Sequence, residues 1–256
     1  MVQQSITRAP SHHDRVRHHV ELPEILASKI TKLEASLRSI CEYDGGNVVL
    51  ATSFSAEDMV LTDALVRWDL PIGLISLETK RLHPETQTMI ARTQEHYGIK
   101  VDVYEPEPNA VDEYVTTYGL NGFYDSLEAR RACCDFRKSQ PLRRALIGRS
   151  AWITGQRREQ SLTRRQLAER EIDATHNMIK YNPLVEWLWT DVLDYVELYR
   201  LPINPLYARG YVSIGCEPCT RALRPGEHPR AGRWWWESAT TKECGLHQNL
   251  SPVDTE

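Results

Sequence analysis

Five of the six cysteines in this 256-residue chain have a spacing that suggests chemistry. Cys133 and Cys134 are adjacent, and Cys216 and Cys219 form a CxxC motif about 80 residues further on. Four thiols in this arrangement are typical of a single metal or iron–sulfur site closed across a long stretch of chain. Zinc fits four thiolates equally well by ligand type, although adjacent cysteines are unusual for zinc. The sequence therefore predicts a four-cysteine metal centre.

Cys244 stands apart from this set, in the polar sequence Glu243-Cys-Gly-Leu-His247. A structural thiol has little reason to lie there. A nucleophilic thiolate must be exposed, mobile or close to cations that lower its pKa. His247 is a candidate base, although a lone histidine in a tail is more often incidental. A four-ligand site together with a solitary thiol indicates redox or transfer chemistry at sulfur.

Charge is distributed unevenly along the chain. The net charge is −4, yet residues 130–165 contain eleven Lys or Arg and two acidic residues. Such a block is typical of nucleic-acid binding or of a pocket for a small polyanion. We favour the pocket, and expect no nucleic-acid partner, because the block lacks the interleaved aromatic residues of a single-strand binding platform.

The termini and the apolar runs bear on location. No apolar run approaches the ~20 residues of a membrane span, so no membrane partner is expected. Residues 1–20 contain four histidines and three arginines but no apolar core of a secretory signal, so we interpret them as a disordered leader. We expect a cytoplasmic protein. In that reducing compartment the cysteines are ligands and a reactive thiol rather than three disulfides.

The hydrophobic pattern predicts strands that alternate with helices. Strands are expected at 47–52, 72–77, 100–104 and 151–155. Helices are expected at 21–41, from the end of the 53–58 loop through Arg67, and at 83–97, 109–118, 139–147 and 190–200. This alternation indicates an α/β fold with an open, mostly parallel sheet and helices on both faces. Ligands of such sheets bind at the carboxyl ends of the strands. Residues 225–256 show no periodicity and are interpreted as a tail that folds over the site or stays mobile.

The loop after the first strand is a candidate anion site. Ser53 and Ser55 lie between a strand and a helix N-terminus, where backbone N–H groups and hydroxyls stabilise phosphate or sulfate. The alternative is a plain capping segment, with Ser55 as N-cap and Asp58 three positions later. The loop lacks the glycines and the lysine of a P-loop.

Six segments, taken in order, make a family recognisable. They resemble the motifs of the assimilatory adenylyl-sulfate (APS) reductases, the iron–sulfur type within the PAPS reductase family, which has a PP-loop adenine-nucleotide-hydrolase-like fold. The resemblance covers roughly residues 25–250 and one motif departs from it: Glu78-Thr-Lys80 stands where the family usually has Asp-Thr-Gly, which bears on the local turn. The segments are Ser53-Phe-Ser-Ala-Glu-Asp58, Arg81-Leu-His-Pro-Glu-Thr86, Cys133-Cys-Asp-Phe-Arg-Lys138, Thr154-Gly-Gln-Arg-Arg-Glu-Gln-Ser161, Gly215-Cys-Glu-Pro-Cys-Thr220 and Glu243-Cys-Gly-Leu-His247.

The resemblance implies an enzyme that reduces adenosine 5′-phosphosulfate to sulfite and AMP, with thioredoxin or glutaredoxin as reductant. It implies one [4Fe–4S] cluster per chain on Cys133, Cys134, Cys216 and Cys219, and attack by Cys244 on the sulfur of the substrate to give an S-sulfonate. The implied substrate-binding residues, beside the two loop serines, are Lys138, Arg157, Arg165, Arg230 and Arg233. Without the resemblance, a solvated helix face for Lys138 and a packing role for Trp234–Trp236 remain open.

We therefore expect a nucleotide-binding α/β reductase domain with an iron–sulfur site at residues 21–225, and a tail at 226–256 that carries the nucleophilic cysteine. A homo-oligomer is expected. One alternative is the same chemistry on 3′-phosphoadenosine 5′-phosphosulfate (PAPS). Others, from different classes, are a PP-loop RNA-modifying or nucleotide-binding protein and a purely structural zinc protein.

Overall fold

The computed structural model describes residues 24–44 and 46–238. Within them, six strands form one sheet: β1 (Val48–Thr52), β2 (Gly73–Leu77), β3 (Val101–Tyr104), β4 (Ala151–Ile153), β5 (Arg170–Asp173) and β6 (Met178–Tyr181). The strand order is β3-β2-β1-β4-β6-β5. Every neighbouring pair is parallel except β5 and β6, which are antiparallel. The predicted α/β class with a mostly parallel sheet is confirmed.

Seven α-helices accompany the sheet in the described residues: α1 (Glu24–Tyr43), α2 (Ala56–Arg67), α3 (Pro84–Tyr97), α4 (Pro108–Tyr118), α5 (Leu127–Cys134), α6 (Gln140–Ala145) and α7 (Trp189–Tyr199). Residues 135–139 form a π-helical turn that joins α5 to α6. Prolines stand at the starts of α3 and α4. Proline is tolerated in the first helical turn because the backbone N–H groups there make no hydrogen bond within the helix. α7 begins one residue earlier than expected, and Asp191 Oδ2 accepts a hydrogen bond from Leu188 N (2.6 Å).

The centre of the sheet is buried on both faces. Val48 and Leu50 of β1 pack into the main core with α1, α2 and α7, whereas Val49 points to the opposite face and packs with Leu142 of α6. Alternate residues of one strand therefore contact helices on opposite sides, as period-two geometry requires. This arrangement explains why β1 is an almost continuous apolar run.

The β5–β6 hairpin was not expected from the sequence, because both of its strands contain charged residues. Lys180 on β6 is buried, and its ammonium group pairs with Glu171 Oε1 of β5 across the hairpin (2.6 Å). A partner across the ladder removes the cost of burying the charge, and no local pattern in the sequence reveals that partner. The hairpin closes with the Asp173 carboxylate accepting hydrogen bonds from the backbone N–H groups of Thr175 and His176.

Helix α5 was also missed, and the expected helix at 139–147 proves to be the end of a longer helical run from residue 127. The buried face of α5 consists of Ala129, Arg130, Cys133 and Cys134 and contains no large aliphatic side chain. Its burial is therefore invisible to hydrophobic periodicity. Ser126 caps its N-terminus by accepting a hydrogen bond from Ala129 N (3.0 Å).

The turn after β2 keeps a left-handed conformation although it lacks glycine. Lys80 has φ 58°, a region that suits glycine better than any L-residue. Its backbone N–H donates to Glu78 Oε1 (2.7 Å), and its ammonium group pairs with Glu105. The departure from Asp-Thr-Gly therefore leaves the turn in place. None of the helices described here is long and apolar enough to cross a membrane.

Candidate active site

A cavity of about 640 Å³ lies at the carboxyl ends of β1, β2 and β4. These three strands are adjacent and parallel, so the segments that follow them meet at one edge of the sheet. Ser53 and Ser55 after β1, Thr79 after β2 and Gly155 after β4 all line the cavity. The location agrees with the general rule for ligand sites in open parallel sheets.

The serine loop is a cap and a cavity wall at once. Ser55 is the N-cap of α2, and its hydroxyl accepts a hydrogen bond from Asp58 N (3.2 Å). Ser53 donates from its backbone N–H and its hydroxyl to Asp58 Oδ2 (2.7 and 2.8 Å). Phe54 between them has φ 58° and is buried, which turns the loop sharply at the start of the helix. Both serines also border the cavity.

Asp58 is an acidic side chain that is almost fully buried in this wall. Burial raises its pKa to about 6, against the opposing effect of the two hydrogen bonds from Ser53. Gly155 packs directly on it. A Cβ at that position would lie 2.6 Å from Asp58 Oδ1 and 2.9 Å from Glu57 Cβ. Glycine is therefore required here by close approach rather than by its backbone angles.

Arg157 lines the cavity with a guanidinium group that already has acidic partners. It donates to Glu57 Oε1 from Nε (3.0 Å) and Nη2 (2.9 Å), and to Glu159 Oε2 from Nη1 (2.7 Å). Both side chains of the Arg157–Glu57 pair are buried. Arg165 is exposed and does not line the cavity, whereas its neighbour Arg164 does.

A second cavity, of about 20 Å³, is lined by Cys133, Cys134, Cys216 and Cys219. All four cysteines are buried, and within residues 24–44 and 46–238 none of them forms a disulfide. Burial raises the pKa of the Cys133 thiol, and it raises that of Cys219 to about 12. Thiolates here need compensating positive charge, as a metal centre supplies. In the described part of the chain, no group of three or more His, Cys, Asp and Glu side chains is placed to hold one metal ion.

The CxxC segment is held by contacts to two distant loops. Glu217 N donates to Arg81 O (2.7 Å), and Tyr124 OH donates to Pro218 O (2.7 Å). The Thr79 hydroxyl lies 3.3 Å from Cys216 Sγ. These contacts join the loop after β2 to the cysteine cavity.

Lys138 is the residue, among those described, that lines both cavities. The π-helical turn places it just after the cysteine pair, with Arg137 beside it. Arg137 is buried and donates from Nη1 to Thr79 O (2.7 Å), while its Nε has no hydrogen-bond partner in the described part of the chain. The Lys138 charge acts to lower the pKa of Cys133 and Cys219, opposing the effect of burial.

The described part of the C-terminal segment, up to residue 238, closes one side of the main cavity. Arg230, Arg233 and Trp234 line it. Trp234 N donates to Cys219 O (3.1 Å), so the segment also contacts the cysteine cavity. Of the three consecutive tryptophans, Trp234 is buried, Trp236 packs half-buried beside the cysteines and Trp235 is exposed.

Arg233 owes its position to a close contact with Gly215. Its guanidinium lies against that residue, and a Cβ there would be 2.4 Å from Arg233 Nη2. The same group donates to Ile214 O (3.3 Å). Arg233 is buried, yet its Nε has no partner among the described residues.

Cys244 and His247 lie outside the described residues, as do the leader at 1–20 and the rest of the tail from 239. The sequence alone assigned no ligand contact to several residues that line the cavities. They are Glu57, Asp58 and Arg137, which lie inside the six motifs, and Thr79, which lies in the departing segment Glu78-Thr-Lys80. Membership in these segments was the available signal.

The fold and the two cavities define an α/β protein of the nucleotide-binding type that carries a buried four-thiol site. Residues 47–222 match the phosphoadenosine phosphosulfate reductase domain, and the chain belongs to this family. Adenosine 5′-phosphosulfate reductase of Burkholderia cepacia is 54% identical over 229 residues, which are 89% of this chain and 91% of that protein. The protein of the same description from Allochromatium vinosum is 53% identical over 213 residues, 83% of this chain and 82% of that one.

Solved structures agree with this fold. Phosphoadenylyl-sulfate (PAPS) reductase from Candida auris, in a phosphate complex, superposes with a TM-score of 0.63 at 23% identity and covers 79% of this chain and 99% of that one. Yeast FAD synthetase in complex with FAD gives 0.55 at 14% identity, covering 80% of this chain and 70% of that one. At these identities the likeness concerns the fold alone.

Proposed function

We propose that this protein reduces adenosine 5′-phosphosulfate to sulfite and AMP in sulfate assimilation. The relatives that are 53% and 54% identical to this chain are described as reductases of that compound. The observation that carries the proposal is the position of Lys138 in the walls of both cavities. One ammonium group there can neutralise a phosphosulfate in the larger cavity and a thiolate centre in the smaller one.

The larger cavity suits a nucleotide. Pockets of roughly 300–1,000 Å³ bury most of a drug-sized ligand, and this one holds about 640 Å³. Ser53 and Ser55 at the N-terminus of α2 are placed for phosphate contact, and Arg230 and Arg233 border the cavity from the C-terminal segment. Cations around the phosphosulfate favour the charge that builds on the leaving phosphate. Arg157 contributes to the wall through its pair with Glu57.

The four cysteines fit a [4Fe–4S] cluster. All four are buried free thiols that line one small cavity, and four thiols are the ligand set that such a cluster requires. Arg137 and Lys138 beside the cavity supply positive charge to thiolate ligands. The cluster, when bound, would contribute positioning and electrostatics rather than electrons. The thiol of Cys244 and the thiols of the reductant protein already account for both electrons.

Cys244 acts in this scheme as the nucleophile. Its thiolate attacks the sulfonate sulfur, a sulfur–sulfur bond forms, and the bond from that sulfur to the bridging oxygen breaks. AMP leaves with the electron pair, and Cys244 becomes an S-sulfonate. The basic side chains at the cavity would stabilise the attacking thiolate.

A dithiol protein of the thioredoxin or glutaredoxin type completes the turnover. One of its thiolates attacks Cys244 Sγ, and sulfite leaves with the electron pair of the sulfur–sulfur bond. Its second thiol then resolves the mixed disulfide and restores Cys244. The dithiol becomes a disulfide and loses two protons and the two electrons that reduce the sulfur. We further propose a cytoplasmic homo-oligomer.

The test is the intact mass of the reduced, iron-loaded protein after incubation with APS or with PAPS, in the absence of a dithiol protein. We expect an added SO₃ group with APS that maps to Cys244 and is absent from Cys244→Ser. An adduct with PAPS alone would keep the chemistry and change the substrate. Absence of any adduct from protein with intact cluster absorbance would overturn the scheme.

A second measurement tests the metal centre itself. Iron and acid-labile sulfide are expected at about four each per chain in protein purified without oxygen, with broad visible absorbance. The single variants Cys133→Ser and Cys219→Ser should lose both, whereas Cys41→Ser, outside the site, should keep both. One zinc per chain and no colour would contradict the cluster.

A further inference from the structure

A buried ion pair joins the cysteine-bearing helix to the C-terminal segment. Arg130 on α5 donates to both carboxylate oxygens of Glu237, from Nε to Oε1 (2.8 Å) and from Nη2 to Oε2 (3.0 Å). The Arg130 side chain is 1% exposed and that of Glu237 is 8% exposed. The Arg130 guanidinium also lies 4.8 Å from the ring centroid of Trp234. A bidentate pair of this kind is specific in geometry as well as in charge.

The two partners lie at points that matter for the site. Arg130 precedes Cys133 and Cys134 on the same helix and lines the cysteine cavity with them. Glu237 follows the three tryptophans, and its backbone N–H donates to Trp234 O (2.9 Å). The pair therefore ties the wall of the cysteine cavity to the segment that leads toward Cys244.

Distance along the chain makes this contact relevant to the nucleophile. Cys244 is seven residues beyond Glu237. Seven extended residues span at most about 25 Å, so the attachment at Glu237 sets an upper limit on the distance between Cys244 and the cysteine cavity. The local concentration of a tethered group falls roughly as the −3/2 power of tether length. Releasing the segment back to Trp234, or as far as Thr220, would lower that concentration about 2- to 6-fold.

We propose that Arg130 and Glu237 are positioning residues that fix the origin of the Cys244 segment beside the cysteine cavity. This inference rests on the proposed role of Cys244 as nucleophile. Neither residue of the pair lines the larger cavity. The effect of the pair is therefore expected in the rate of the sulfur transfer step and not in nucleotide affinity.

The chain provides a matched control. Arg221 and Glu227 form another bidentate pair in the same part of the sequence, with distances of 2.7 and 2.8 Å. This second pair is partly exposed, and neither residue lines the cysteine cavity. Glu227→Gln therefore removes an equivalent charge without releasing the segment from α5.

The experiment compares Glu237→Gln and Glu237→Ala with Glu227→Gln in the iron-loaded full chain. Three quantities are measured: the S-sulfonation rate of Cys244 at saturating APS, the Kd for AMP, and amide hydrogen exchange of residues 230–238. We expect the Glu237 variants to sulfonate about 2- to 6-fold more slowly, with faster exchange in that segment. The AMP Kd and iron content should stay within a factor of two of wild type, and Glu227→Gln should match wild type throughout.

Each other outcome is decisive. Wild-type sulfonation rates in both Glu237 variants would overturn the positioning role, even with faster exchange. Parallel loss of AMP binding and iron would overturn it as well, since the pair would then hold the fold rather than the segment. If the wild-type protein forms no adduct, the proposed function fails, while faster exchange limited to the Glu237 variants would still support the attachment.

Discussion

The position of Arg233 depends on the lack of a side chain at Gly215. Its guanidinium occupies the space that a Cβ of Gly215 would take, at 2.4 Å. Gly215 has no positive φ, so an L-residue fits the backbone there. The glycine is needed only because Arg233 lies against it. Substitution at this position therefore reports on Arg233 without removing any of its own atoms.

Gly215→Ala is expected to weaken AMP and APS binding about tenfold, or about 1.4 kcal/mol, by displacing the Arg233 guanidinium. Isothermal titration calorimetry of the iron-loaded protein measures this. Gly73→Ala is the control, because its Cβ would meet Val49 Cγ1 at an ordinary 3.7 Å. Equal affinities for the two variants would show that Arg233 does not contribute to nucleotide binding.

At the scale of single residues, residue type and spacing identified the cysteine site, but they did not reveal which side chains pair with each other. The four cysteines were selected by their spacing, and they line one cavity. The engagement of Arg157 with Glu57 was not predictable, since the two residues are 100 positions apart. A basic residue after a strand has the same sequence signal whether its guanidinium faces a ligand or a buried carboxylate.

At the scale of elements, the turn between β2 and α3 carries a local conflict. Lys80 adopts φ 58°, which costs an L-residue about 1–2 kcal/mol. The turn also presents Thr79, whose hydroxyl lies beside Cys216 and whose carbonyl accepts from Arg137. A strained residue persists where its neighbours determine the conformation.

Lys80→Gly is accordingly expected to raise the free energy of unfolding by up to about 1 kcal/mol, after the loss of the exposed pair with Glu105. Urea unfolding of the two proteins under identical conditions measures the difference. Lys100→Gly is the matched control, because Lys100 also forms an exposed ion pair, with Asp102, and has no positive φ. That variant should be destabilised, since glycine adds chain entropy to the unfolded state without relieving strain. A shift in the same direction for both would contradict the argument.

The strands and helices that could be predicted from the sequence were those rich in apolar residues. The interior strands β1, β2 and β4 are short apolar runs and were located within one or two residues. The hairpin was missed because Lys180 is buried through a cross-strand partner, and α5 because its buried face is made of arginine and cysteines. Burial that depends on pairing or on ligation leaves no hydrophobic period in the sequence.

At the scale of the whole molecule, the cysteine region is separate from the main core. Cys133, Cys216 and Cys219 belong to an apolar cluster with Tyr114 and Trp234, apart from the cluster that surrounds β1. Metal binding contributes directly to the stability of the region that it joins. The two parts of the molecule should therefore respond differently when the proposed metal centre is removed.

Cys219→Ser is expected to lose iron and to show at least tenfold faster amide exchange in residues 122–138 and 211–238, with β1 and β4 as protected as in wild type. Hydrogen exchange followed by mass spectrometry resolves these segments. Cys41→Ser should leave both regions unchanged, because Cys41 lies on α1 and packs against the main core. Equal loss of protection throughout the sheet would show that the cysteine region and the core unfold as one unit.

The separation of the two cysteine pairs along the chain also sets an order of events during biosynthesis. About 80 residues lie between Cys134 and Cys216, and at roughly 5–20 residues per second the ribosome needs several seconds to make them. β4, β5 and β6 are synthesised within that interval, so every strand of the sheet precedes the second pair. Throughout it, the first pair has no partners with which to complete a four-thiol site. Assembly of that site is thus confined to the final stage of translation or to the period after release.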